Sequence, residues 1–335
     1  MRLIICGMGV VGQSFIKLLI NSSDSLYKKY GIKPRIVACI DSKGIAYSQT
    51  GLDLEKLLLV KEKFGTVAHY PNKISHFENY IEDIDAEVFL ELTPTNLTSG
   101  EPGLSHIITA LKTKKNVITV NKGPLAFSFP SLIELSDYNN VMLRFSGTVG
   151  GGTPVLEFAK HCLKGDKITS FMGILNGTTN YILTKMTEGL TFEESLKDAK
   201  VKGYAEAEVS LDINGDDAAA KLVIMANWIM GYKVTIKDVY KKGISDIKLK
   251  DIEDAIKKKK NIKLIAKCDA NDLFVKPFLI SKEDPICVNG TLNAVTFKSE
   301  HSGEQTIIGR GAGGTETASA ILRDLIEIKE NFVSL

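Results

Sequence analysis

Two charged residues one helical turn apart, Asp217 and Lys221, open a stretch whose continuation, Leu222 to Met230, is almost wholly apolar. That spacing puts both side chains on one face of a helix. The chain leading in is polar and acid-rich: Gly203-Tyr-Ala-Glu206-Ala-Glu208-Val-Ser-Leu-Asp212-Ile-Asn-Gly-Asp216. A lysine and a carboxylate so placed, at the mouth of a buried helix, are candidates for a working site. The same pair on a surface would be an ion pair of little worth. Charges at such a mouth seldom persist unless paired or functional, and composition alone leaves the two readings open.

The second chemical signature is Gly7-Met8-Gly9-Val10-Val11-Gly12, a G-x-G-x-x-G directly after an apolar run and opening a helical pattern. The first glycine permits a tight turn, the second lets a pyrophosphate approach the backbone, and the third lets helix and strand pack closely. The phosphates then meet free N–H groups at the positive end of the helix. In this context all six residues, Gly7, Met8, Gly9, Val10, Val11 and Gly12, are expected to line a dinucleotide. Asp41 closes the second apolar run, where an acid can accept from the adenosine ribose hydroxyls. That favours NAD, but Ser42 and Lys43 follow at once, and a lysine there can hold a 2′-phosphate. The cofactor is therefore NAD or NADP.

The elements that must position these residues follow from periodicity. Apolar runs at 2–6, 36–40, 87–92, 117–120 and 141–145 are separated by helical stretches at 11–20, 104–113 and 130–137, with 21–33 read as an insertion. Strand alternating with helix means a parallel, doubly wound sheet of Rossmann type. From Ser146 the character changes. Ser146-Gly-Thr-Val-Gly-Gly-Gly-Thr-Pro154 is too glycine-rich to extend a strand. Runs at 168–175, 262–268, 274–280, 288–297 and 305–308 then follow without a helix between each, the pattern of an antiparallel or mixed sheet. The expected fold is α/β: a dinucleotide-binding domain (1–147), then an α+β catalytic and dimerisation domain with a mixed sheet (148–308). A segment holding an amphipathic helix, 315–330, returns to the first domain (309–335).

Composition excludes other classes. The 335 residues carry 42 basic against 40 acidic side chains, a formal net charge of +2, which gives no field for nucleic acid. The one dense basic run, Lys257 to Lys260, falls in a helix-like stretch, 251–263, and reads as a solvated face. Five scattered cysteines without a C-x-x-C suit a reducing cytoplasm. No apolar run is long enough for a membrane span.

Here the motifs converge on a family. The stretch from Gly203 to Lys221 resembles the homoserine dehydrogenase signature, in which an acid-rich loop leads to G-x-D-x-x-x-K. Thr119-Val-Asn-Lys122-Gly-Pro, Thr148-Val-Gly-Gly-Gly-Thr-Pro154, Gly173-Ile-Leu-Asn176-Gly-Thr178-Thr-Asn-Tyr181 and Gly309-Arg-Gly-Ala-Gly-Gly314 resemble further segments of that family, in its order and over nearly the whole chain. The resemblance implies NAD(P)-dependent interconversion of L-homoserine and L-aspartate 4-semialdehyde, in threonine, methionine and isoleucine biosynthesis. It implies Lys221 as the acid/base at the 4-hydroxyl and Lys122 as a second active-site lysine. Glu206 and Asp217 would bind the substrate ammonium, and Thr178 would lie in the substrate loop. Thr93 and Gly311 would approach the cofactor. Lys221 serves this role only if burial or a neighbouring cation brings its proton affinity toward working pH.

The resemblance also implies a sodium ion held by the carbonyls of Val149, Gly151 and Thr153, and a homodimer or homotetramer. Ser146 stands where many members have a glutamate at the ion, and the chain is expected to be a short form without a regulatory domain. Two rivals remain. A semialdehyde dehydrogenase forming an acyl phosphate needs a nucleophilic cysteine, which the apolar settings of these five do not suggest. A silent nucleotide-binding regulator has no reason to keep Glu206, Asp217, Lys221 and Lys122 together.

Overall fold

The computed structural model describes residues 1–71, 79–206 and 208–332. The chain divides into two units, Met1–Thr148 with the chain from Gly313 onward, and Val149–Ala312.

The first unit is built on strands β1 (Arg2–Cys6), β2 (Arg35–Asp41), β3 (Gly44–Tyr47), β4 (Val88–Glu91), β5 (Asn116–Thr119) and β6 (Leu143–Arg144). Their order is β3-β2-β1-β4-β5-β6. All pairs are parallel except the β2–β3 hairpin. Every residue of β4 and β5 is buried, as parallel strands covered on both faces require. The winding starts at β1 and runs outward on one side through β2, on the other through β4. The crevice at the carboxyl ends of β1 and β4 is therefore the switch point where such sheets bind ligands.

The first helix, Val10–Tyr30, buries Phe15, Ile16, Leu19 and Leu26 and stops at left-handed Gly31. It runs on through most of 21–33, so what read as an insertion is extra helix. The last helix, Gly314–Phe332, lies against it. Its Ala318, Ile321, Leu325 and Ile328 recur at three- and four-residue intervals and enter the same core as Leu3, Ile5 and Leu90. The helix expected at 130–137 begins at Lys122 and ends at Tyr138. It breaks at Ser128, because Pro130 has no N–H for the carbonyl of Ala126. The expected strand at 141–145 is only Leu143–Arg144.

The second unit carries a mixed sheet of β7 (Ile168–Ile174), β8 (Tyr240–Lys241), β9 (Lys260–Cys268), β10 (Leu273–Ser281), β11 (Leu292–Ser299) and β12 (Gly303–Arg310). The order is β12-β11-β7-β9-β10-β8, antiparallel except for the short β10–β8 pair. Against β9 and β10 lies the helix Asp216–Met230, in which every residue from Ala218 to Asn227 is buried. The helix-like stretch 251–263 is a correction. The helix ends at Lys257, Lys259 turns left-handed, and Lys260 already starts β9. All four lysines of that run are exposed, as expected. No helix among the described residues is long and apolar enough to cross a membrane.

Candidate active site

In the second unit, β7 delivers the chain to Leu175 and Asn176, and the helix Gly177–Thr187 starts there. Asn176 caps it, its side-chain oxygen accepting from the Thr179 N–H at 2.9 Å. The other half of that amide faces the acid-rich loop. Asn176 Nδ2 donates to Asp212 Oδ1 at 2.6 Å and to Asp217 Oδ2 at 2.9 Å. Asp217 Oδ2 also pairs with Lys221 Nζ at 2.7 Å, and that ammonium donates to the carbonyl of Leu175 at 2.7 Å. Lys221 is 6% exposed, so this is a buried cation between two acceptors rather than a surface pair.

Asp212 lies next to Asp217. Burial, and then the charge of Asp217, push its carboxyl above the usual range against the pull of Asn176 and Lys221. Thr178 holds the far side of the loop, its hydroxyl donating to the Tyr204 carbonyl at 2.8 Å. Glu206 is exposed and takes no part in the cluster among the described residues.

The structure thus brings Lys221, Asp217 and Thr178 to the start of one helix and the mouth of another. It adds Asn176 and Asp212, which the sequence reading quoted without giving them work. The Asn-Gly-Thr-Thr after an apolar run was a capping signal, and Asp212 was one acid among several.

In the first unit, β1 ends at Cys6 and the chain turns at Gly7, φ +112°, where a Cβ would lie 2.4 Å from the Leu92 carbonyl oxygen. A Cβ on Gly12 would meet the Gly7 carbonyl oxygen at 2.4 Å, whereas one on Gly9 would meet nothing within 4 Å. The loop is therefore pinched at Gly7 and Gly12 and open at Gly9. The helix that follows has no side-chain cap and no acid in its first turn. Open space before uncapped N–H groups fits a pyrophosphate. Met8 is buried and Val10 exposed. Thr93 follows β4 by two residues, and Lys122, half-buried, is the first residue of its helix.

Asp41 was expected to receive the ribose hydroxyls, and in this structure its oxygens carry four hydrogen bonds. Oδ1 accepts from the Lys43 N–H at 3.0 Å and the Thr66 hydroxyl at 2.9 Å. Oδ2 accepts from Lys61 Nζ at 2.8 Å and the Val67 N–H at 2.9 Å. Burial raises this carboxyl, yet Lys61 and the three other donors outweigh it and hold it at about 2. Four donors fill the roughly four acceptor sites of a carboxylate. Asp41 shapes the loop as a buried anchor, and the Lys43 side chain stays exposed beside it.

Of the three carbonyls expected at a cation, that of Thr153 accepts from the Val155 N–H at 2.8 Å. Ser146, in the first unit, is held by the buried carboxylate of Asp324 through its N–H at 3.0 Å and its hydroxyl. Val149, Gly151 and Thr153 offer main-chain carbonyls only, without the carboxylate that a glutamate at position 146 would add. Gly311 packs where a Cβ would overlap Asn293.

Comparison with known proteins agrees with this arrangement. Residues 154–326 match the sequence profile of homoserine dehydrogenase, and residues 1–95 that of the glutamate/leucine/phenylalanine/valine dehydrogenases. The homoserine dehydrogenase of Methanocaldococcus jannaschii is 46% identical over 331 residues, 98% of each chain. An NAD(+)-dependent homoserine dehydrogenase of Pseudomonas canavaninivorans is 38% identical over 98% of this chain and 96% of its own. The crystal structure of an Archaeoglobus fulgidus protein assigned as a homoserine dehydrogenase shares the fold with a TM-score of 0.91. It is 39% identical and covers 98% of this chain and 99% of that one. With likeness running end to end and a buried lysine–aspartate pair where the signature lies, the chain belongs to the homoserine dehydrogenase family.

Proposed function

We propose that this chain interconverts L-homoserine and L-aspartate 4-semialdehyde with NAD or NADP, and that Lys221 carries the proton. The observation that supports this reading is the Lys221–Asp217 pair, buried and tied through Asn176 to a second carboxylate. The nicotinamide supplies or accepts the hydride; the chain's residues do the rest. In the reducing direction the Lys221 ammonium gives a proton to the carbonyl oxygen of the semialdehyde as hydride reaches its carbon. In the oxidising direction neutral Lys221 takes the proton of the 4-hydroxyl as hydride leaves. Asp217, with Asp212 beside it, and Glu206 from the exposed loop receive the substrate's ammonium group, and Thr178 keeps that loop in place.

Lys122 serves as the second lysine, for substrate binding or proton transfer. Gly7 to Gly12 hold the pyrophosphate. Thr93 and Gly311 approach the nucleotide, and Lys43 meets a 2′-phosphate when one is present. The chain works as a cytoplasmic homodimer or homotetramer, in keeping with five free cysteines. Val149, Gly151 and Thr153 are given no step.

Purified protein mixed with aspartate semialdehyde and NADPH or NADH tests the reading. Oxidation of the reduced nucleotide with homoserine as product is expected, without added phosphate. No turnover with either nucleotide refutes the assignment. Sedimentation showing only monomer at micromolar concentration refutes the assembly.

A further inference from the structure

A carboxylate lies where the fold itself has no use for one. Glu91 is the last residue of β4, and its residue is 0% exposed. The neighbouring strand interiors, Leu90 and Ile118, are apolar, and a buried charge costs free energy that only specific partners return. The partners of Glu91 lie above the sheet, at the switch point. Glu91 Oε1 accepts from the Thr93 N–H at 2.9 Å and from the Thr93 hydroxyl. Oε2 lies 2.7 Å from His106 Nδ1. Asn121 Nδ2 donates to the Thr93 hydroxyl at 3.3 Å, while Asn121 Oδ1 accepts from the Gly123 N–H at 3.1 Å and so caps the helix beginning at Lys122. The main chain repeats the link. The Thr119 hydroxyl donates to the Glu91 carbonyl at 3.2 Å and accepts from the Asn121 N–H at 3.0 Å.

One acid thus ties the loop after β4 to the loop after β5. These are the loops that carry Thr93 and Lys122.

We propose that Glu91, braced by His106, is a positioning residue that sets the loops presenting Thr93 and Lys122 to the bound nucleotide. The proposal rests on the nucleotide-binding reading given above. Cys6 Sγ stands 3.8 Å from His106 Nδ1, and the trio Cys6, Glu91 and His106 is compact enough to suggest a metal. However, the 2.7 Å between Glu91 and His106 is a hydrogen-bond distance. Ligands about 2 Å from a tetrahedral zinc stand roughly 3.3 Å apart. Hydrogen bonding accounts for the cluster.

The test compares the wild type with His106→Leu, His106→Asn and Glu91→Gln. Nucleotide affinity is read by fluorescence titration with NADPH and NADH, and kcat and the homoserine KM by steady-state assay. His106→Leu is expected to weaken nucleotide binding about tenfold, the factor for one hydrogen bond to a charged group. It should lower kcat similarly and shift the homoserine KM less than the nucleotide Kd, because Asp217 and Glu206 receive the substrate ammonium. The side-chain N–H of Asn can stand in for Nδ1, so His106→Asn should recover most of the loss, a rescue that general destabilisation would not show. Glu91→Gln should give the same split at smaller size, and it carries the test should His106→Leu fail to fold. A folded His106→Leu or Glu91→Gln with wild-type nucleotide affinity and kcat overturns the proposal. Wild-type protein that binds neither nucleotide overturns the functional reading as well.

Discussion

Replacing Lys221 with methionine keeps most of the side chain's volume and removes only its cation. Asp217 then loses its cation and keeps the Asn176 amide at 2.9 Å, beside the carboxylate of Asp212. Breaking a fully buried pair costs about 3–5 kcal/mol. These two side chains are 8% and 16% exposed, so roughly 2–3 kcal/mol is expected, a fall in Tm of about 5–10 °C. The chemical loss is separate. Removing a positioned acid/base costs about 10²–10⁴ in rate, or roughly 3–5 kcal/mol of barrier.

The double variant Lys221→Met/Asp217→Asn separates the two effects. Neutralising the Asp217 carboxylate should restore most of the melting temperature while kcat stays low in both directions, measured by nicotinamide absorbance at saturating substrate. A folded Lys221→Met with kcat within about tenfold of wild type would remove the lysine from proton transfer. Stability and kcat returning together in the double variant would make it structural.

The Asp41–Lys61 pair should show itself in acid. A carboxyl held near 2 instead of its ordinary 3.8 contributes stability that is complete above about pH 4 and lost as pH falls toward 2. That amounts to about 2 kcal/mol. Lys61 is one of four donors, so Lys61→Met should remove part of that stability at pH 7 and much less near pH 2 in denaturant unfolding; an equal loss at both would refute the pairing. Lys263 has the opposite sign. Burial lowers its amine to about 8, so between pH 8 and 10.5 the unfolded chain holds the extra proton and this group makes stability rise with pH. Lys263→Met should abolish that slope. It should also cost roughly 2–3 kcal/mol at pH 7, because Asn180 Oδ1, Val288 O and Asn289 Oδ1 lose their donor; an unchanged slope tells against the assignment. Iodoacetamide should label exposed Cys162 first and spare Cys39 and Cys268, whose thiols burial pushes up to about 12. Activity should survive that labelling, and loss in step with it would point to thiol chemistry.

Much of this architecture could be read from the sequence because its signals are local. Apolar runs for β1, β2, β4 and β5 are buried on both faces, so each reads without a partner. The pinched glycines Gly7 and Gly12 announce a backbone that tolerates no Cβ. What escaped was set by tertiary neighbours. The length of the first helix past Ile20 depends on Leu26 reaching the core, which no polar count over 21–33 foretold. Lys259 breaks the helical pattern by turning left-handed, a conformation not expected of lysine. Asp41 and Glu91 look alike in sequence, acids closing apolar runs. Which distant partners each carboxylate finds depends on Lys61, Thr66 and His106, residues brought close only by the fold.

The closing helix has a bearing on biosynthesis. Ile321, Leu325 and Ile328 belong to the core of the first unit, yet about half the chain is translated between Thr148 and Gly313. When the ribosome has just finished that intervening stretch, the second unit is complete and contiguous, while the first still exposes the seat for its missing helix. Domains that fold as units during synthesis should then mature here in reverse order of their first residues. Until the helix Gly314–Phe332 emerges, the uncovered apolar flank of the helix Val10–Tyr30 is a surface for chaperones.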